Sequence, residues 1–168
     1  MIAAAVTAET SRARIAAWFV CLLVLGGSQA KAAETPQLWL NAGTLSYHFD
    51  RGRDFREDNV GFGAELWVTR DHGIMAGTFI NSDRVRSRYG AYQWRPLHWK
   101  LAGVDIGAGV AAGAFDGYPR YDNGRWFAVV LPVLSIEYRR FGANLFIVPT
   151  IRDRLDGAVS LQLKLRAW

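Results

Sequence analysis

The sequence predicts an all-β fold: a closed, eight-stranded antiparallel β-barrel of the outer-membrane type. Three observations predict it. Apolar residues recur with period two in segment after segment, with little helical periodicity. The runs are close to the ~9–11 residues a tilted strand needs to cross a bilayer. The stretches between them alternate between long charged segments and short turns.

Residues 1–32 read as a secretory signal peptide. Arg12 and Arg14 precede the uncharged run IAAWFVCLLVLGG, and Ala30-Lys31-Ala32 offers a small-x-small cleavage site after Ala32. The apolar run falls short of the ~20 residues of a membrane-spanning helix. Cys21, the single cysteine, lies within that run between large apolar residues, which does not suit lipoprotein processing. It is expected to leave with the leader. Residues 33–168 are then one domain without thiol chemistry. Lys plus Arg falls from 20 to 17 and Asp plus Glu from 15 to 14, a mild net charge of +3.

Eight runs are expected at about 38–50, 60–68, 74–82, 89–97, 101–114, 126–138, 143–150 and 157–167. The first ends in "TLSYHFDR" (44–51), where alternation gives way to charge. The second places Val60, Phe62, Ala64, Leu66 and Val68 on one face, and Gly61, Gly63, Glu65 and Trp67 on the other. In the fifth, Val104 to Ala114 alternate with Asp105, glycines and Ala111. In the sixth, the even positions from Trp126 to Tyr138 are all apolar. In the eighth, Val159, Leu161, Leu163 and Leu165 alternate with Ser160, Gln162, Lys164 and Arg166. Side chains alternate across a strand, so each run has one uniformly apolar face. With the N-terminus in the periplasm, TRDHG, HWK and RRFG are expected as inner turns. RGRDFREDN, DRVRSR, FDGYPRYDNGR and IRDRLD become outer loops. Trp67, Trp94, Trp99, Trp126, Tyr138, Phe141 and Trp168 fall near strand ends, as interfacial girdles require. Trp168 sits on the polar register of its strand, which a terminal bulge or fraying would explain.

Eight strands leave room for packed side chains or one small ligand. Wide pores are excluded. Gly107, Gly109 and the other small residues of the fifth run remove volume from one wall, and Val129, Leu131 and Val133 are apolar on the inward register of the sixth. These five are the expected lining of an apolar pocket in the outer half. Glu65, Asp105, Glu137, Asn144, Gln162, Lys164 and Arg166 share the inward register and can form a paired polar plug below it. A barrel simply filled with side chains reads the same pattern equally well.

"AGTFINSDRVRSRYGAYQWRPL" (76–97), with "SYHFDR" before it and "LPVLSIEY" and "FIVPT" after it, resembles the PagP family of outer-membrane lipid A palmitoyltransferases, which confer resistance to antimicrobial peptides. The resemblance runs from about Leu38 to the end, and its most specific piece is "WRPL". It implies an acyl pocket, a phospholipid acyl donor, lipid A as acceptor, and no cofactor. It also implies a catalytic histidine at the outer end of the first strand, matched by His48, and a serine after the third, matched by Ser82. The family's aspartate before that serine is Asn81 here, so the acid falls to Asp83 or Asp50, or Asn81 serves as oxyanion donor or histidine orienter. The family's long amphipathic N-terminal helix has no counterpart, since "ETPQ" alone precedes the first strand. Pro132 and Pro149 cannot donate to a strand ladder, and the resemblance makes the gaps they leave a lateral entry for lipid.

His is the side chain whose ordinary pKa suits a general base, and acyl transfer needs such a base beside a hydroxyl. Ser82 is then the nucleophile, or it orients substrate while His48 activates the hydroxyl of lipid A. His72 and His98 are expected in inner turns, solvated and remote. No pair of histidines has metal-ligand spacing, so no metal is expected. The floor of an acyl pocket depends on one or two inward residues near the start of the fourth run, where Tyr89 and Tyr92 stand and neither is assigned. Ten arginines fall in the expected outer loops: Arg51, Arg53, Arg56, Arg84, Arg86, Arg88, Arg120, Arg125, Arg152 and Arg154. Guanidinium groups pair with phosphate, in which lipopolysaccharide is rich, while solvated loops would carry the same residues. Nucleic acid is not a partner at an outer-membrane address, and a monomer is expected. Three readings follow: a lipid A acyltransferase, a non-enzymatic structural or lipopolysaccharide-binding barrel, and a hydrolase of the same lipids.

Overall fold

The structure, a computed structural model, describes residues 36–151 and 156–168, the side chain of Asp122 excepted. The expected leader, Cys21, Arg152 and Arg154 lie outside the described residues. Eight strands follow in chain order: β1 (Gln37–His48), β2 (Asp58–Trp67), β3 (His72–Ile80), β4 (Arg86–Leu101), β5 (Val104–Phe115), β6 (Phe127–Tyr138), β7 (Phe141–Val148) and β8 (Ala158–Arg166). Each pairs antiparallel with its chain neighbours, and β1 pairs with β8, so the sheet closes into a barrel without edges. Both ends of the sheet meet at one rim, where Leu38 N donates to Trp168 O at 2.8 Å. The loops at 49–57, 81–85 and 116–126, with the described residues 149–151 and 156–157, lie at the opposite rim.

The outside is apolar, and the buried polar side chains lie inside. Val60, Phe62, Ile74, Val130, Ile136, Leu163 and Leu165 point outward and are exposed, whereas Glu65, Gln93, Asn144 and Lys164 are buried. This inversion of the soluble pattern is what a transmembrane barrel requires. Trp94, Trp99, Trp126, Tyr138, Phe141 and Trp168 stand on the outer surface. Trp67, expected with them, is instead 3% exposed and inward: its indole N–H donates to Glu65 Oε2 at 2.9 Å, and the Arg95 guanidinium lies 3.5 Å above its ring. Trp168 lies past the end of β8 and is exposed.

One inner turn departs from expectation. HWK is not a turn but part of β4, which is 16 residues long; the reversal falls at Ala102 and Gly103, both at positive φ as a two-residue hairpin requires. The strand reaches that length by a register shift against β5 between Trp94 and Leu97, which turns "WRPL" into a bulge with Pro96 at its centre. Consequently His98 lies on a strand, half-buried, with Nε2 3.1 Å from Asp71 Oδ1. His72 also lies on a strand, beside the Tyr92 hydroxyl on the exposed face.

Below the middle of the barrel the lumen is closed by a charged layer. Glu65 accepts from Asn41 Nδ2 (3.2 Å), Lys164 Nζ (3.1 Å) and Asn144 Nδ2. Glu137 accepts from Lys164 Nζ (2.8 Å), Arg95 (2.9 Å) and Ser135 Oγ (3.0 Å). Such a layer is sound only when every charge is paired. Asp105, expected within it, pairs instead with Lys100 at 3.5 Å near the turn rim, and Arg166 stacks on Trp39. Arg95, which the sequence pattern did not single out, takes their place.

Candidate active site

Above the charged layer lies a cavity of about 160 Å³ open toward the loop rim. Its walls are apolar: Met75, Phe79, Ala111, Phe115, Val129, Leu131, Phe146 and Val148 all face it. Of the five residues expected to line it, Val129 and Leu131 do so. Val133 packs just below, in the buried cluster with Met75, Tyr89 and Phe146. Gly107 lies near the turn rim beside the Arg95 and His98 side chains, where a Cβ would fit in ordinary contact. A Cβ on Gly109 would run into the Trp94 carbonyl and Arg95 Cα, so this glycine admits the β4 bulge and does not widen the cavity. Small residues on β5 therefore serve close strand approach as much as emptiness. Tyr89 reaches across from β4, its hydroxyl 3.4 Å from Gln162 Nε2, and narrows the cavity; Tyr92 points outward.

His48 is the last residue of β1, and its inward aim depends on an irregularity. Along β1, Trp39 and Asn41 face the lumen while Leu40 faces out. The register then shifts between Asn41 and Thr44 against β8. Beyond it Leu45 and Tyr47 face out and His48 is 5% exposed. Without the shift, strict alternation would send His48 to the apolar face. Gly43 makes it possible, because a Cβ there would strike the Asn59 carbonyl oxygen on β2.

His48 Nε2 lies 2.9 Å from Ser82 Oγ, across from the loop after β3. Phe55 stacks on the imidazole, ring centroids 4.3 Å apart. His48, Ser82, Phe55 and Asp83 all line the cavity mouth. This is a base and a hydroxyl at hydrogen-bond distance, facing an apolar slot, the local requirement for acyl transfer.

The acid candidates are arranged otherwise than the sequence suggested. Asn81 is fully buried; its amide donates to Ser87 Oγ and the Gly117 carbonyl, and its Oδ1 accepts from the N–H groups of Asp83 and Val85. All its hydrogen-bonding capacity goes into holding the loop that carries Ser82, so neither donor is left for an oxyanion or for His48. Asp50 accepts from Gly52 N at 2.9 Å in its own turn. Asp83 stands at the mouth with Arg120 3.7 Å away, and burial raises its carboxyl above the ordinary range. The residue missed is Glu57: Oε1 lies 3.9 Å from His48 Nδ1 and accepts the His48 backbone N–H at 3.4 Å. Arg51 bonds the same carboxylate and, with the His48 amide, holds it below the usual carboxylate range. Glu57 belongs to none of the motif pieces, and only its place just before β2 marks it.

The arginines of the loop rim are largely engaged. Arg51, Arg53, Arg56, Arg84, Arg88 and Arg120 each lie against a carboxylate, with Arg53 Nη1 donating to both oxygens of Asp156 at 2.7 and 2.8 Å. Arg86 and Arg88 lie on β4, not in a loop. On the β6 side, Pro132 faces outward and pairs with Val110 of β5. The ladder between β6 and β7 begins at Val133–Phe146, so the loop-side half of β6 has no partner on β7; Pro149 follows the end of β7.

No family model matches the chain, and no curated protein matches it. Among solved structures it is similar to the Yersinia pestis outer membrane protein Ail in a phospholipid bilayer nanodisc, at 11% identity over 79% of this chain and 99% of that chain, with a TM-score of 0.42.

Proposed function

We propose that this chain is an outer-membrane acyltransferase that moves a long acyl chain, palmitoyl in the family it resembles, from a phospholipid to a hydroxyacyl chain of lipid A. The observation that carries the reading is the His48–Ser82 pair at the mouth of an apolar cavity. The exposed apolar belt supports membrane insertion, and the open β6–β7 seam beside Pro132 gives a donor chain a lateral way in. As the Ser82 oxygen attacks the donor ester carbonyl, its proton passes to His48 Nε2. The ester C–O bond breaks and the lysophospholipid leaves with that proton. A lipid A hydroxyl then gives its proton to Nε2 and attacks the Ser82 ester; the acyl–Oγ bond breaks, Nε2 returns that proton to Ser82 Oγ, and the acyl group leaves on lipid A. In the one-step variant Ser82 only orients, and His48 activates the lipid A hydroxyl directly.

The test is mass spectrometry of lipid A from cells expressing the chain, beside His48→Ala and Ser82→Ala. One added acyl mass in the wild type, absent in His48→Ala, is the expected result. Loss of an acyl chain would make the protein a hydrolase. Unchanged lipid A, with the barrel verified in the outer membrane, would leave a structural or lipopolysaccharide-binding barrel. An acylated Ser82 peptide separates the two-step route from the one-step route.

A further inference from the structure

A histidine can take a proton at Nε2 only if that nitrogen is bare, which places the ring proton on Nδ1. With Ser82 donating to Nε2, the Nδ1–H of His48 needs an acceptor. Nδ1 is buried and has no hydrogen-bond partner. A buried, unpaired donor is costly, so an acceptor within reach is drawn toward it.

The charged groups that face His48 are Glu57 and Arg51 from the loop after β1, Asp83 from the loop after β3, and Asp156 from the loop before β8. Both Asp156 oxygens accept from Arg53 Nη1. Asp83 stands beside Arg120 and lies next to Ser82 in the chain. Glu57 differs from both. Its Oε1 already receives the His48 backbone N–H and stands 3.9 Å from Nδ1. A shift of about 1 Å brings it to hydrogen-bond length. Arg51 grips the carboxylate from the solvent side, which keeps it charged and limits where it can swing.

We infer that Glu57 is the positioning residue of this site, accepting the Nδ1 proton of His48 and thereby holding Nε2 as the base toward Ser82. Glu57 takes the place that Asn81 cannot fill, from a different loop. Only its catalytic consequence rests on the acyl-transfer reading; the contact with His48 stands or falls without it.

The experiment uses the full barrel refolded in detergent micelles with 15N-labelled histidine. It compares wild type, Glu57→Gln, Glu57→Asp and Arg51→Gln, each checked for folding by its gel-mobility shift on heating. In the wild type, His48 is expected as the Nδ1–H tautomer. In Glu57→Gln its titration midpoint should fall by about one unit, because a nearby negative charge is lost, and the tautomer preference should weaken. Glu57→Asp should recover part of both. With phospholipid donor and lipid A acceptor, Glu57→Gln should lower kcat at least about ten-fold with KM little changed, and shift the acid limb of the pH profile with the NMR midpoint. Arg51→Gln should cost less, since the carboxylate remains. An unmoved midpoint and tautomer in folded Glu57→Gln would overturn the assignment, whatever the activity. The NMR changes without any transfer by the wild type would support the contact and refute acyl transfer instead.

Discussion

At position 43 there is room for a hydrogen and nothing more, since a Cβ would meet the Asn59 carbonyl. Gly43→Val is therefore expected to expel the register shift or strain it, at a cost of about 1–3 kcal/mol, and to turn His48 off the Ser82 hydroxyl. Urea unfolding in micelles gives the first quantity and acyl transfer the second, which should be lost. Lys164 is a second position with a sharp consequence. It is the shared cation of Glu65 and Glu137, so Lys164→Met strands two buried carboxylates whose remaining donors are Arg95 and neutral groups. Removing one member of a buried ion network costs about 3–5 kcal/mol. The mutant should unfold at correspondingly lower urea, and Lys164→Arg should recover part of the loss.

The seam between β6 and β7 owes its opening in part to a residue without an N–H. Pro132→Val supplies the missing donor, one potential hydrogen bond worth about 1 kcal/mol. If the seam admits lipid, the variant should be slightly more stable and turn over several-fold more slowly, with the His48 titration unmoved; equal turnover would remove the seam from the route. Elements differed in how much of this could be read from sequence. β2, β5, β6 and β8 keep strict parity, so inward and outward faces could be assigned from period two alone. β1 and β4 each carry an irregularity, and one extra residue exchanges faces, which periodicity cannot anticipate. That is why HWK was expected as a turn and Gly109 as pocket lining. His48 and Ser82 were legible because each sits at the loop end of a strand in a recognisable stretch. Glu57 was not, because its nearness to Nδ1 arises from how a nine-residue loop folds back over β1, a tertiary matter.

For the whole molecule, the apolar belt is the feature on which everything else depends. An arginine at Ile136 or Leu163, both outward, should cost about 2–4 kcal/mol in phospholipid vesicles if its site lies near the bilayer midplane. Polar substitution at the exposed loop residue Asp54 should cost nothing measurable. Urea titration of vesicle-reconstituted protein compares the two. The belt surrounds a lumen divided in two: an apolar cavity toward the loops, a polar vestibule toward the turns, and between them the buried layer of Glu65, Gln93, Asn144 and Lys164. That layer is expected to make the protein an electrical insulator. A planar bilayer holding many copies should pass no more current than bare lipid, so a cell can carry this barrel in quantity without admitting small toxic solutes through it.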